Sequence, residues 1–162
     1  MFCPRCGAPL AVAPPTTCGR CAYEMFVNAR PTGGVVVVDG DRFLALRRAR
    51  PPRAGRWELP GGFCDGAEHP AAAAGREARE ELGVPVELGQ FIGMYVGSYD
   101  YQGESVPVLD CYYLATLAGH PIELNAAESS EMTWYYLVDP PPLAFPSMDH
   151  AVVDAARSLG LR

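Results

Sequence analysis

The chain has 162 residues, 49% of them hydrophobic, and a net charge of −6 in which every basic side chain is arginine. That length and apolar content suit one folded domain with a small appendage. The acidic balance argues against nucleic acid as a partner, because no broad basic surface is available to displace its counterions. No apolar run is long enough to span a bilayer, and the N-terminus lacks the apolar segment of a secretory signal, so a cytoplasmic, non-membrane protein is expected.

Taken in order, residues 1–26 form a unit of their own. Cys3-Pro-Arg-Cys6 and Cys18-Gly-Arg-Cys21 are two tight Cys-x-x-Cys turns, each able to offer both sulfurs to one ion. Four thiolates make the closed tetrahedral set of structural Zn²⁺. So short a segment cannot bury a core, so the metal would supply its folding energy. Cys64 and Cys111 are isolated in apolar surroundings and read as buried free thiols.

Residues 25–34 read as a linker feeding a strand. Val35 to Val38, the turn Asp39-Gly40-Asp41 and the alternating stretch Arg42 to Arg47 read as a β-hairpin. Residues 48–56, with Pro51-Pro52 and several arginines, read as an exposed loop. Trp57 to Leu59 is a short strand ending at Pro60-Gly61-Gly62. A helix is expected over residues 69–82, with Pro70 in its first turn and Gly83 just past its end. Helical spacing puts Ala71, Ala74, Gly75, Ala78 and Leu82 on one narrow stripe to be packed on a sheet, and Glu77, Glu80 and Glu81 on another arc. Val84 to Leu88, Phe91 to Tyr101 and Val106 to Leu117 read as strands, with a turn at Tyr101 to Ser105. Met132 to Leu137 is a further strand, and Met148 to Leu159 a closing helix. His69, His120 and His150 have no ligand spacing and read as surface residues.

Three carboxylates within little more than one helical turn repel one another unless a cation neutralises them. They lie downstream of a glycine loop in a fixed pattern: Gly62, five residues, Glu68, seven residues, then Arg76-Glu77-Ala78-x-Glu80-Glu81-x-Gly83-Val84. This stretch resembles the signature of the Nudix hydrolase family at every defined position. The lead-in Trp57-x-Leu59-Pro60-Gly61-Gly62 and the later Glu131-x-x-Trp134 also fit. The resemblance spans about residues 33–160, and with the cysteine unit ahead of it the chain looks like the zinc-ribbon Nudix proteins, a group that includes NADH pyrophosphatases and similar ADP-ribose pyrophosphatase-like proteins.

The resemblance implies an α/β/α sandwich with a mixed β-sheet, preceded by a small zinc ribbon, and a homodimer. It implies hydrolysis, by metal-activated water, of the pyrophosphate bond in a nucleoside diphosphate linked to another moiety, of the ADP-ribose, NADH or FAD type. Glu77, Glu80 and Glu81 would hold Mg²⁺ or Mn²⁺ with the Gly62 carbonyl. Arg76 would hold a glutamate in place, Glu80 first, and Glu68 would be a support. Glu81, Glu128 or Glu131 would act as general base. Arg47 is the arginine best placed for a phosphate, and Tyr99 and Tyr101, with Tyr95 nearby, are candidates to stack on a base. The downstream Ser-Gln-Pro-Trp-Pro-Phe-Pro motif of NADH pyrophosphatases is absent from Phe91 to Tyr101, which leaves the substrate open. A nucleoside triphosphate pyrophosphohydrolase and a non-catalytic nucleotide sensor with a ribbon for partner contact are the alternatives.

Overall fold

The computed structural model describes residues 1–161. Two short strands, β1 (Thr16–Thr17) and β2 (Glu24–Met25), pair with each other only. The remaining strands form one seven-stranded mixed sheet. They are β3 (Arg30–Asp39), β4 (Arg42–Arg48), β5 (Trp57–Glu58), β6 (Gly61–Phe63), β7 (Val86–Tyr101), β8 (Glu104–Leu117) and β9 (Ser129–Tyr136). β3 lies at its centre, parallel to β8 and antiparallel to β4 and β6. β9 pairs with β4, and β7 forms a long hairpin with β8.

The apolar run of β3 shows why the sheet is covered on both faces. Successive strand residues point to opposite sides. Val35 and Val37 join Leu44, Leu46, Ala74, Ala78 and Leu82 in a core under helix α1 (Pro70–Leu82). Val36 joins Phe43, Tyr112, Leu137 and Val152 in a second core under helix α2 (Pro146–Ser158). The product is an α/β/α sandwich. No helix among the described residues is long and apolar enough to cross a membrane.

The elements depart from sequence expectation where tertiary contacts override local pattern. The linker at 25–34 already becomes strand at Arg30, because β8 supplies its ladder from Val108 onward. The two strands expected between Val84 and Tyr101 are one, since β7 absorbs its irregularity as register shifts near Phe91 rather than breaking. The closing helix starts at Pro146, two residues early.

The buried face of α1 is also rotated from the expected stripe. It consists of Ala73, Ala74, Ala78, Glu81 and Leu82, so a glutamate is turned inward while Ala71 and Gly75 are only half-buried. The cause lies in β3. A Cβ on Gly33 would stand 2.1 Å from the Pro70 carbonyl oxygen and 2.6 Å from the Ala74 nitrogen, so the helix backbone rests directly on this glycine. Cys111 is buried as expected, but Cys64 is only partly so, because it lies just past the end of β6 where the sheet opens.

Candidate active site and metal centres

Helix α1 begins at His69, whose Nδ1 accepts the Ala71 amide, and ends at Gly83, whose left-handed φ of 69° returns its amide to the Arg79 carbonyl. His69 is therefore the helix cap rather than an idle surface residue. These ends, and the contact at Gly33, fix the rotation of the helix and so the direction of its glutamates.

Glu77 lies over β6. A Cβ on Gly62 would fall 2.5–2.7 Å from the Glu77 carboxyl group, so glycine is what admits the carboxylate here. Glu81 is 6% exposed and accepts the Gly61 amide at 3.1 Å. Glu80 points outward. Arg76 binds Glu68 through both arms of its fork, at 3.0 and 2.8 Å, donates to the Phe63 carbonyl and to Glu77 at 2.8 Å, and reaches Glu80 at 3.5 Å. Its contact with Glu80 is thus the longest of the three, and the tight partners are Glu68 and Glu77. Glu68 is held down to about 2 by Arg76, and the Asp65 amide assists.

The carboxylates deeper in the site behave oppositely. Burial pushes Glu81 well above the ordinary range, and the charges of Glu58, Glu128 and Glu77 add to it against the Gly61 amide. Burial likewise raises Glu77 despite Arg76. Glu58, paired with Arg48, is pushed up to about 7 by burial even so. Positive charge is therefore short at this point of the molecule. Oxygen donors that lack a cation are the chemistry Mg²⁺ or Mn²⁺ would satisfy, so the residues present fit such an ion.

A cavity of about 510 Å³ opens beside Gly61, Gly62 and Glu58 and runs across the sheet under α2. Its walls include Phe63, Tyr99 and Phe145; Arg48 and Arg53 enter it. Of the sequence candidates for substrate contact, Tyr99 lines this cavity, while Arg47 and Tyr101 do not; nor does Glu131, a candidate general base. Arg47 is engaged by Glu131 at 3.0 Å and lies over the Trp57 ring. Tyr101 stands at the end of the hairpin, with the Arg30 guanidinium 5.7 Å from its ring centre. His150, expected as a plain surface residue, lies at the cavity edge against Tyr95.

Sequence reasoning missed Glu58, and it ranked Arg48 and Arg53, among the arginines that could meet phosphates, below Arg47. Alternation along β4 does not place Arg48, because the β4–β9 ladder shifts register between Arg47 and Arg48; its contacts are Glu58, Tyr99 and the Phe145 ring. Glu58 is opposite Leu46 across the β4–β5 ladder and so shares its side of the sheet. Glu128, on the loop before β9, raises Glu58, Glu77 and Glu81 alike, which places it with the acidic group and apart from Glu131.

At the N-terminus, Sγ atoms of Cys3, Cys6, Cys18 and Cys21 all lie within 4.8 Å of one another. The pairs Cys3–Cys21 and Cys6–Cys18 are 3.8 and 3.7 Å apart. A tetrahedron of sulfurs about 2.3 Å from a central ion has edges of about 3.8 Å. The Arg20 and Cys21 amides pull Cys18 down to about 6. Cys21 goes up to about 12: the Tyr23 amide works against this, but burial and the neighbouring thiols outweigh it. Cys18 thus gives up its proton readily, whereas Cys21 holds its own until a cation arrives.

A mixed sheet between two helices, with inward glutamates beside a glycine loop and an open cavity, defines a hydrolase domain acting on phosphoric anhydrides. The NUDIX domain matches residues 28–154, and the chain belongs to that family. Among curated relatives, a "MutT-like protein" of Streptomyces ambofaciens is 35% identical over 62% of this chain and 59% of its own length. A "Putative 8-oxo-dGTP diphosphatase 2" of Mycobacterium tuberculosis is 36% identical over 60% of this chain and 74% of its own. An "NAD-capped RNA hydrolase NudC" of Pseudomonas entomophila is 27% identical over 99% of this chain and 58% of its own. The chain thus spans little more than half the length of two of these three. Among solved structures, a MutT NUDIX hydrolase from Burkholderia pseudomallei superposes with a TM-score of 0.68 at 29% identity, over 78% of this chain and 98% of that one.

Proposed function

We propose that the protein hydrolyses the pyrophosphate bond of a nucleoside diphosphate linked to another moiety, of the ADP-ribose, NADH or FAD type, using Mg²⁺ or Mn²⁺. The observation that carries this is a group of cation-poor carboxylates, Glu58 and Glu81 buried and Glu77 half-buried, of which Glu58 lines the cavity beside Gly61 and Gly62. Glu77, Glu80 and Glu81, with the Gly62 carbonyl, would hold the ion, which when bound would neutralise the diphosphate and make a water more acidic.

The chain's own residues do the rest. Arg76 fixes Glu77 and Glu68 so that the carboxylates meet the ion in one arrangement. Gly61 and Gly62 let the diphosphate approach the backbone closely. Arg48 and Arg53 offer the diphosphate positive charge from the cavity side, where the sequence pointed to Arg47. Glu81 or Glu128 accepts the proton of the attacking water; Glu131, the other sequence candidate, is tied to Arg47. Tyr99 lies where a base can stack, with Tyr101 further out.

Residues 1–26 are a Zn²⁺ ribbon and residues 33–160 the catalytic domain. A nucleoside triphosphate is the second reading of the substrate, supported by the likeness to the 8-oxo-dGTP diphosphatase. The test is a panel of nucleotides with Mg²⁺ or Mn²⁺ and identification of products. A nucleoside monophosphate plus a phosphorylated second moiety is expected. A nucleoside monophosphate plus inorganic pyrophosphate establishes the second reading. No metal-dependent turnover on any member overturns both.

A further inference from the structure

Asp110 stands apart from the acidic group at Glu81, on the floor of the cavity. It is 8% exposed, and its one hydrogen bond among the described residues is to Thr32, whose hydroxyl donates to Oδ1 at 2.7 Å. Oδ2 receives nothing from the protein. It faces the flat stretch of floor at Gly97, where a Cβ would come within 3.4 Å of it. Across the ladders Asp110 is opposite Thr32, and Thr32 is opposite Phe63, so the carboxylate and the Phe63 ring share one side of the sheet. Phe63, Tyr99 and Phe145 form the aromatic wall above, with ring centres 5.4 and 5.5 Å apart in sequence. A flat aromatic ligand fits between that wall and the glycine floor, and its edge meets Oδ2.

We propose that Asp110 selects the nucleobase: the cavity takes a base presenting an exocyclic amino group, adenine in particular, whose N–H donates to Oδ2. This rests on the nucleotide reading above and deepens it. The chemistry is one of sign. A buried carboxylate can only accept, so it gains a charge-assisted hydrogen bond from an amino group and repels an oxo group in the same place. With Oδ1 engaged by Thr32, Oδ2 is the oxygen left without a protein donor, and the exocyclic amino group of adenine can donate to it. Hypoxanthine differs at that position by exchanging the donor for an acceptor, and a site built around a buried hydrogen-bonding group discriminates strongly against such an exchange.

The experiment is calorimetric binding of ADP and IDP, with Mg²⁺ present, to the wild type, Asp110→Asn and Gly97→Ala. The wild type is expected to bind ADP at least about tenfold more tightly than IDP. Asp110→Asn keeps the Thr32 hydrogen bond and gains an amide that can donate to the oxo group, so the two affinities converge or reverse. Gly97→Ala leaves Asp110 in place and covers Oδ2 with a methyl group, and it narrows the gap as well. Equal affinities in the wild type, an equal loss of both in Asp110→Asn, or no binding of either nucleotide overturns the proposal. Turnover is read separately: ADP preference without hydrolysis contradicts the proposed reaction alone, and hydrolysis without base preference contradicts this inference alone.

Discussion

Glu81 is buried among other carboxylates, and that makes its role testable in two opposite directions. Its carboxylate is buried beside Glu58 and Glu77 with one amide for compensation. Glu81→Gln is expected to lower metal-dependent turnover by about a hundredfold or more, as loss of a charged group at the reacting centre does. The same change is expected to raise the melting temperature of the metal-free protein near neutral pH, because it removes an uncompensated charge. A second test is Arg76→Lys. Lysine keeps the charge but not the fork that grips Glu68, Phe63 and Glu77 together. Activity should fall by about 10–100-fold with a weaker Mg²⁺ dependence, while the far-ultraviolet circular dichroism spectrum stays that of the wild type. At this scale the glutamates were legible because they sit on one helix at fixed spacing. Glu58 was not, nor was the preference for Arg48 over Arg47, because their place at the site depends on which strands pair with β4, and no local pattern encodes that.

Helix α1 owes its position to a single close approach. The Pro70–Ala74 backbone rests on Gly33, and Glu77 rests on Gly62. Gly33→Ala must push the helix outward, at a cost of about 1–3 kcal/mol for overpacking. Thermal melting and turnover should drop together, since the glutamates move with the helix; an unchanged melting temperature contradicts the account of the contact. The extent of this helix was readable from Pro70 and Gly83, but its rotation was not. Alanine at 71, 73, 74 and 78 offers several equivalent faces, and it is the glycine on a different element that selects one. The long β7 shows the same limit. Its break near Phe91 looked like a strand end, yet β8 supplies partners on both sides of the irregularity and keeps it continuous.

For the molecule as a whole, the raised carboxylates set a pH dependence. Glu58 moves from 4.5 to about 7 on folding, and Glu77 and Glu81 move in the same direction. The folded state therefore binds these protons more tightly than the unfolded state does. The stability they contribute is present below 4.5 and is lost as pH rises through about 7. Glu68, held near 2, acts oppositely but only in more acid solution, as its protection fails below 4.5. The metal-free protein should thus melt at lower temperature at about pH 8 than at about pH 5.5, and Mg²⁺ should stabilise it more at the higher pH, where it no longer competes with protons. The cysteine unit predicts separate behaviour. Chelation or Cys6→Ser should release Zn²⁺ and unfold the segment around β1 and β2, with the seven-stranded sheet still melting cooperatively by calorimetry. The sandwich was foreseeable from the resemblance, since its cores follow from alternating valines in β3. Of the residues that enter the cavity, Tyr99 was a sequence candidate, but Asp110 and Phe145 were not, because they come from distant stretches that only the folded sheet brings together.

The most direct test of the central claim is single-turnover hydrolysis of the best panel nucleotide in ¹⁸O-labelled water with Mg²⁺, for the wild type and for Glu81→Gln. The wild type should give two phosphate-bearing products, one of them carrying ¹⁸O on its new phosphate oxygen, and Glu81→Gln almost none. Equal turnover in the two proteins, or label that appears without Mg²⁺, contradicts that claim.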